Sequence, residues 1–263
     1  MYSEYERIDV TVTDGIATVT LDNPQKLNAT DARLHTELST IFVDLQRDSG
    51  VDVVVLTGAG RAFSAGGDID WMQDAIDNPE SFEQTVVEAK QIIFSLLDLE
   101  KPIVAKVNGA AVGLGATIAL FCDVIFAAET AVIGDPHVSV GFVAGDGGAV
   151  IWPQLVGYAR AKEYLMTGEL IPATKAADMG LINHAVPAES LDAKVDEFAQ
   201  RLRSGATKAI RWSKVSVNIG LKQLAHSIMD TSLAYEALSN RTADHAEGVA
   251  AFRERREPEF QGR

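Results

Sequence analysis

Residues 101–148 read KPIVAKVNGAAVGLGATIALFCDVIFAAETAVIGDPHVSVGFVAGDGG. An apolar strand (102–107) is followed by a turn with three glycines, then by an apolar helix and a second strand (124–128). A loop that carries His137 and Asp146 completes the stretch. A glycine turn between a strand and a helix leaves backbone N–H groups unpaired, and such groups bind anions.

A shorter stretch upstream has the same form. A near-continuous apolar strand (51–57) leads into GAGRAFSAGGDID (58–70), and its composition is typical of a strand buried on both faces. Two sets of free N–H donors, with a histidine and an aspartate nearby, predict a pocket that stabilises a developing oxyanion.

Strand and helix signals alternate along the first two thirds of the chain and then become helical only. Strands are predicted at 7–12, 16–21, 51–57, 102–107, 124–128 and 181–186. Helices are predicted at 32–47, 70–76, 81–99, 147–156 (with an irregularity at Trp152-Pro153), 159–167, 174–179, 189–203, 205–220, 223–240 and 242–256. The pattern predicts an α/β core (1–187) and a helical C-terminal region (188–263) that forms a subunit interface.

Composition excludes several classes of protein. The net charge of −14 argues against nonspecific nucleic-acid binding, and the single cysteine, Cys122, excludes an internal disulfide and a cysteine-rich zinc site. We expect no metal site. The chain has no apolar run long enough for a membrane span, and its first ten residues are acidic and mixed rather than signal-like, so we expect a cytoplasmic protein.

The glycine turns do not match the common nucleotide-binding fingerprints. The third fingerprint position is Phe63 in one turn and Ile118 in the other, where tight helix packing needs glycine or alanine. The chain contains neither the Gly-Lys dipeptide of a phosphate-binding P-loop nor a G-x-S-x-G nucleophile elbow. A dinucleotide-dependent dehydrogenase is therefore the weaker enzymatic hypothesis.

His137 and Asp146 are the candidate acid/base pair. Glycines flank Asp146, and a carboxylate that hydrogen-bonds an imidazole fixes its tautomer and raises its basicity, as a general base requires. The alternative is that Asp146 only caps the helix that follows Gly147. The other histidines, interpreted as surface or structural residues, are His35, His184, His226 and His245.

Several segments in fixed order carry a family resemblance. They are GRAFSAGGDI (60–69), KPIVAKVNGAAVGLGATIALFCDVIFAAETAVIG (101–134), VAGDGG (143–148), LVGYARAKEYLMTGELIPATKAADMGLINHAVP (155–187) and AEGVAAFRERREPEF (246–260). Over nearly its whole length the chain resembles the crotonase superfamily, the enoyl-CoA hydratase/isomerase family. The resemblance implies a spiral of β-β-α units, a trimer or hexamer built through the C-terminal helices, and an acyl-CoA thioester substrate.

The resemblance also implies the site residues. The backbone N–H groups of Gly67 and Leu114 would polarise the thioester carbonyl, and coenzyme A would enter only as part of the substrate, without another cofactor. The substrate-binding positions implied are Arg61, Ala65, Asp68, Ile69, Thr117 and Arg255. Five large apolar residues could line an apolar pocket or equally belong to the core. They are Trp71, Met72, Phe82, Phe142 and Trp152.

Two positions depart from the family pattern. Hydratases of the family use two glutamates, and this chain has Thr117 and His137 in their places. The His137–Asp146 pair is similar to that of the superfamily's hydrolase of cyclic β-diketones, although that enzyme has a further histidine where this chain has Leu114. Water addition to an enoyl-CoA, carbon–carbon bond hydrolysis and double-bond isomerisation all stay open, and so does a non-catalytic acyl-CoA binder.

Overall fold

Two β-sheets organise the fold seen in the computed structural model. The structure describes residues 2–263, so the first residue of the predicted core (1–187) lies outside the described residues. The strands of the larger sheet, in spatial order, are Ile8–Thr13 (β1), Ile16–Leu21 (β2), Val53–Gly58 (β3), Ile103–Val107 (β5), Val124–Ala128 (β7) and His184–Val186 (β10). The strands of the smaller sheet are Ala62–Ser64 (β4), Ala110–Val112 (β6), Val132–Gly134 (β8) and Ile171–Pro172 (β9).

Most neighbouring strands are parallel. The two antiparallel pairs are β1 with β2 and β8 with β9. The predicted hairpin turn at Asp14-Gly15 is confirmed, because both residues have positive φ angles (49° and 79°), as a tight two-residue hairpin requires.

Helices pack around both sheets. They are Ala32–Arg47 (α1), Ile69–Asp77 (α2), Phe82–Asp98 (α3), Leu114–Leu120 (α4), Gly148–Thr167 (α5), Ala173–Asp178 (α6), Leu191–Arg203 (α7), Thr207–Ser239 (α8) and Ala243–Glu254 (α9). The predicted start of α1 is confirmed, since the side chain of Asp31 accepts a hydrogen bond from the amide of Leu34 at 2.8 Å. Within residues 2–263, no helix combines the length and the apolar character that crossing a bilayer demands.

Three successive units share one connection pattern. In each unit a strand of the larger sheet leads to a strand of the smaller sheet and then to a helix: β3-β4-α2, β5-β6-α4 and β7-β8-α5. Because β3, β5 and β7 are neighbours in one sheet and β4, β6 and β8 are neighbours in the other, the chain winds as a spiral. The expected spiral of β-β-α units is thus confirmed.

The structure corrects three local predictions. The helices predicted at 205–220 and 223–240 are one continuous helix, α8, because a lone Gly220 costs only about 1 kcal/mol and does not end a long helix. The irregularity in α5 lies at Gly157 (φ 78°, ψ 159°) and not at Pro153, since that backbone geometry is open to glycine but not to proline. The smaller sheet was missed because its strands are at most three residues long, too short to show alternation.

The contact between α4 and β4 generates a stability prediction. A Cβ atom on Gly115 would lie 2.6 Å from the Cβ of Ser64, whose hydroxyl is itself bonded to the carbonyl of Asn28 at 2.8 Å. We expect Gly115→Ala to lower the free energy of unfolding by about 1–3 kcal/mol through overpacking, as measured by urea denaturation.

Gly220→Ala is the matched control. Gly220 is exposed in the middle of α8, and no other atom lies within 4 Å of the place that an alanine methyl group would take. Alanine there should therefore raise stability by about 0.5–1 kcal/mol. Equal stability of Gly115→Ala and wild type would contradict the tight packing of α4 on β4.

Candidate active site

Two adjoining cavities lie where the glycine turns meet. The outer cleft has a volume of about 510 Å³, and the inner cavity has a volume of about 50 Å³. Gly67, Met72 and His137 line both cavities and therefore mark the boundary between them. A large outer cleft that leads to a small inner cavity suits a ligand whose long part lies in the cleft and whose reacting end lies at the boundary.

The two glycine turns approach each other at this boundary. Gly113 has a φ of +54°, and a Cβ atom built on it would lie 3.5 Å from both the Cα of Gly66 and the Cε1 of His137. Neither the amide of Gly67 nor that of Leu114 donates a hydrogen bond within residues 2–263. The turns thus bring two free N–H donors to one place, beside the imidazole.

His137 is held by a carboxylate that the sequence analysis did not single out. Its Nδ1 atom forms a short hydrogen bond with Oδ1 of Asp135, which is fully buried at the end of β8. On the other side of the ring, Nε2 lies 3.8 Å from Oδ2 of Asp146. The structure therefore brings the predicted pair together but corrects its geometry, because Asp135 and not Asp146 makes the hydrogen bond that orients the imidazole.

The protonation state of His137 follows from these neighbours. Burial opposes a charged imidazole, but the charges of Asp135 and Asp146 outweigh burial and raise the pKa of His137 to about 10. At neutral pH the side chain is an imidazolium, with a proton on each nitrogen. The raised pKa favours His137 as a proton donor over the expected role as a free base, since an imidazolium can only donate a proton.

Asp146 is the carboxylate that faces the cavity. The pKa of Asp146 is raised on balance. Burial is the main cause and the charge of Asp135 adds to it, while the imidazolium of His137 acts in the opposite direction. Thr117 lies behind it and donates a hydrogen bond to Oδ1 of Asp146 at 3.5 Å. Because Thr117 is completely buried and lines neither cavity, its contact is with Asp146 and not with the substrate space.

The C-terminal helices close the inner cavity. Glu236 of α8, Asn240 directly after it and His245 of α9 line it. The ring of Phe142 stands between His137 and His245, with centroid distances of 5.6 and 4.5 Å. His245, interpreted from the sequence as a surface or structural residue, thus lines the same cavity as His137. No local spacing links these helices to His137, because about a hundred residues separate them in the chain.

His35 also belongs to the inner cavity. Its Nδ1 atom lies 2.8 Å from Oε2 of Glu88, which also accepts a hydrogen bond from Thr36 at 2.9 Å on its other oxygen. Burial alone would raise the pKa of Glu88, but its hydrogen bonds, chiefly that with His35, outweigh burial and lower this pKa. His35 is thus both a satisfied structural residue, as expected, and part of the cavity wall.

The predicted aromatic and apolar residues divide between cavity and core. Those that line the inner cavity are Trp71, Met72, Phe82 and Phe142. Trp152 is completely buried in the core and packs on Tyr164 at a centroid distance of 6.1 Å. The inner cavity therefore has an apolar wall on the α2–α3 side and a polar wall on the α8–α9 side.

The outer cleft holds four of the six implied substrate-binding residues. They are Arg61, Ala65, Asp68 and Ile69. Asp68 accepts hydrogen bonds from the amides of Asp70 and Trp71 and so caps α2. Arg255, in contrast, is exposed after α9 and lines neither cavity of the single chain.

The sequence analysis missed one cation of the outer cleft. Nζ of Lys26 lies 2.6 Å from Oδ2 of Asp68 and 3.5 Å from Oδ2 of Asp70. Lys26 and Arg61 are the basic residues that line this cleft within residues 2–263. A polyanionic ligand would find both cations on the same wall.

The buried cluster also has the donor atoms of a metal site. Ligand atoms of Asp135, His137 and Asp146 lie within 4.8 Å of one another. A metal ion could bind His137 only after displacing a proton from the imidazolium, which Asp135 and Asp146 stabilise. These residues therefore favour a protonated histidine over a metal ion.

Comparisons with known proteins agree with this architecture. Residues 11–263 match the family model described as enoyl-CoA hydratase/isomerase. The crotonyl-CoA hydratase of Syntrophomonas wolfei is 33% identical over 97% of this chain and 98% of its own length. An enoyl-CoA hydratase/isomerase structure from Mycobacterium paratuberculosis superposes with a TM-score of 0.90 at 34% identity, covering 93% of this chain and 97% of that one.

A structure with a different printed activity is also similar. The β-diketone hydrolase of the cyanobacterium Anabaena, solved with (S)-3-oxocyclohexyl acetic acid bound, superposes with a TM-score of 0.85 at 30% identity. The alignment covers 91% of this chain and 96% of that one. The fold is thus shared by proteins that are named for different reactions.

The buried cluster predicts a titration that nuclear magnetic resonance can follow. Because the charge of Asp135 is the main cause that raises the pKa of His137, we expect Asp135→Asn to lower that pKa far more than the exposed substitution Asp9→Asn does. The measurement is the pH dependence of the imidazole signals in protein with isotope-labelled histidine.

The raised pKa has a stability consequence of known sign. The folded protein holds the His137 proton more tightly than the unfolded chain, so this stabilisation is complete below about pH 6.5 and is lost as the pH rises towards about 10. A signal assigned to the His137 imidazole that titrates near pH 6.5 in the wild type would contradict the described charge cluster.

Proposed function

The chain belongs to the enoyl-CoA hydratase/isomerase family, and on this premise we propose that it adds water to a 2-enoyl-CoA through an enolate held by Gly67 and Leu114. It is an enzyme of this family. The proposal assigns the proton transfers to His137 and Asp146, in place of the two glutamates that the resemblance implies.

One observation carries the proposal. Two backbone amides without acceptors, those of Gly67 and Leu114, belong to residues that line the inner cavity together with His137, and Gly113, next to Leu114, approaches the imidazole. A thioester oxygen placed between them would accept both hydrogen bonds, and its charge grows when the enolate forms. Such a donor typically contributes about 3–4 kcal/mol to the transition state.

The proton transfers balance with the groups present. The carboxylate of Asp146 takes a proton from water while the oxygen bonds to the β-carbon, and the π electrons move onto the thioester oxygen as the enolate. The Nε2–H of His137 then gives its proton to the α-carbon. Asp146, 3.8 Å away, returns its new proton to His137, so both residues regain their starting states.

The outer cleft would hold the coenzyme A part of the substrate. Lys26 and Arg61 stand on its wall and would pair with phosphate oxygens, and Ala65 and Ile69 offer backbone and apolar contacts. No other cofactor is needed for these steps.

Hydrolysis of a β-diketone is the second candidate. The similarity to the Anabaena β-diketone hydrolase favours it. In this reaction Asp146 takes the proton of the water that attacks one carbonyl carbon. The bond between this carbon and the α-carbon then breaks, and its electron pair is delocalised as an enolate onto the other carbonyl group. His137 then protonates the α-carbon.

Product analysis in oxygen-18 water distinguishes the candidates. The panel contains short and medium 2-enoyl-CoAs, 3-enoyl-CoAs and a cyclic β-diketone. We expect one labelled oxygen in a 3-hydroxyacyl-CoA. Label in a ring-opened acid would instead support the hydrolase, a shifted double bond without label would support an isomerase, and binding without turnover would support a non-catalytic acyl-CoA binder.

Substitutions test the two acid/base residues. We expect His137→Ala and Asp146→Asn each to lower kcat by at least about a hundredfold, because each removes one proton transfer, while acyl-CoA affinity stays nearly unchanged. Steady-state kinetics and calorimetric titration measure the two effects.

His184→Ala is the matched control. His184 is exposed on β10 and lines neither cavity, so its substitution should leave kcat unchanged. Wild-type rates in both His137→Ala and Asp146→Asn would show that the acid/base groups lie elsewhere.

The expected trimer or hexamer and the cytoplasmic location stay predictions. Exposed apolar side chains on α8, among them Trp212, Val217 and Ile219, support an interface between copies of the chain. Arg255, which lies outside the cavities of its own chain, is also consistent with such an interface.

A further inference from the structure

The polar wall of the inner cavity contains two side chains whose hydrogen bonding is incomplete. Glu236 and His245 line the cavity and are 5% and 0% exposed. Oε2 of Glu236 and Nε2 of His245 have no hydrogen-bond partner within residues 2–263. The hydration and diketone reactions described above use neither group.

The tautomer of His245 follows from its contact with the backbone. Nδ1 lies 2.7 Å from the carbonyl oxygen of Val140, and a carbonyl can only accept, so Nδ1 carries the hydrogen. Burial lowers the pKa of His245 and keeps the ring neutral. Nε2 is therefore a bare acceptor that needs a donor.

Glu236 has the complementary chemistry. Burial, together with the nearby charge of Asp146, raises its pKa well above the ordinary value, which favours the protonated carboxyl group. A protonated carboxyl group carries one O–H donor. Asn240, which follows α8 one helical turn beyond Glu236, is held by a hydrogen bond of its Nδ2 to the carbonyl of Ala75 at 2.9 Å, which fixes this part of the wall.

A hydrocarbon group could not satisfy this wall. Leaving a buried donor or acceptor unpaired costs about 1–3 kcal/mol for each group. A hydroxyl group can both accept from the carboxyl of Glu236 and donate to Nε2 of His245. A ketone oxygen can only accept, and it would leave His245 unpaired.

We propose that the acyl group of the substrate carries a hydroxyl group, which Glu236 and His245 hold at the polar wall of the inner cavity. This inference rests on the proposed function, since it names the class of acyl-CoA that the site accepts. The small cavity, about 50 Å³, places the hydroxyl only a few bonds from the reacting carbons. The substrate class is therefore a short hydroxylated enoyl-CoA.

Binding of four matched thioesters that lack the 2,3 double bond tests the inference. They are pentanoyl-CoA, 4-hydroxypentanoyl-CoA (each enantiomer) and 4-oxopentanoyl-CoA, and calorimetric titration of the full-length protein gives their Kd values. We expect one 4-hydroxy enantiomer to bind at least about tenfold more tightly than pentanoyl-CoA, with the 4-oxo compound between them.

Variants assign the preference to the two residues. Glu236→Met and His245→Phe should each reduce the ratio of the pentanoyl to the hydroxypentanoyl Kd to about one. Thr85→Val, a nearly isosteric substitution on the α3 side of the same cavity, should keep the wild-type ratio. Circular dichroism of each variant confirms that it is folded, so a changed ratio reports the contact and not unfolding.

Each other outcome overturns a distinct statement. Equal or weaker binding of both hydroxy enantiomers would overturn the inference and leave the proposed function standing. Tighter binding of the 4-oxo compound than of either hydroxy compound would overturn the assignment of a hydroxyl. Failure of every CoA thioester to bind would overturn the proposed function, and the inference with it.

Discussion

The site depends on one buried interaction, an imidazolium held between two carboxylates. His137, Asp135 and Asp146 are each buried, and burial opposes the charged forms of His137 and Asp146. The attraction of the imidazolium to each carboxylate acts against this loss of hydration, while the two carboxylates repel each other, so the charged histidine holds the cluster together. Any element that positions one of them is therefore constrained by the other two.

The spiral of β-β-α units meets this constraint with short elements. β8 ends directly before Asp135, and α4 brings Thr117 behind Asp146. The turn before α4 also supplies the free amide of Leu114, opposite that of Gly67. One small sheet thus positions both the charge cluster and the amide pair, so the proposed oxyanion donors and the proposed proton-transfer groups stay in fixed relation.

The helical region gives the site its remaining walls. α8 and α9 bring Glu236 and His245 to the cavity that α2 and α3 line with apolar side chains. The shared fold of hydratases and a β-diketone hydrolase shows that the spiral alone does not choose a reaction. Under the proposed function, the contrast between an apolar and a polar wall, and not the amide pair, would select the substrate.

The sequence by itself determined the α/β class, the hairpin, the long helices and the proximity of His137 to Asp146, because periodicity, turn residues and short spacing report local structure. Only the tertiary structure decided that Asp135 orients the imidazole, that the imidazole is charged, and that Glu236 from a distant helix shares its cavity. Protonation and partner choice depend on burial and on charges brought together across the chain, and neither leaves a periodic signal in the sequence.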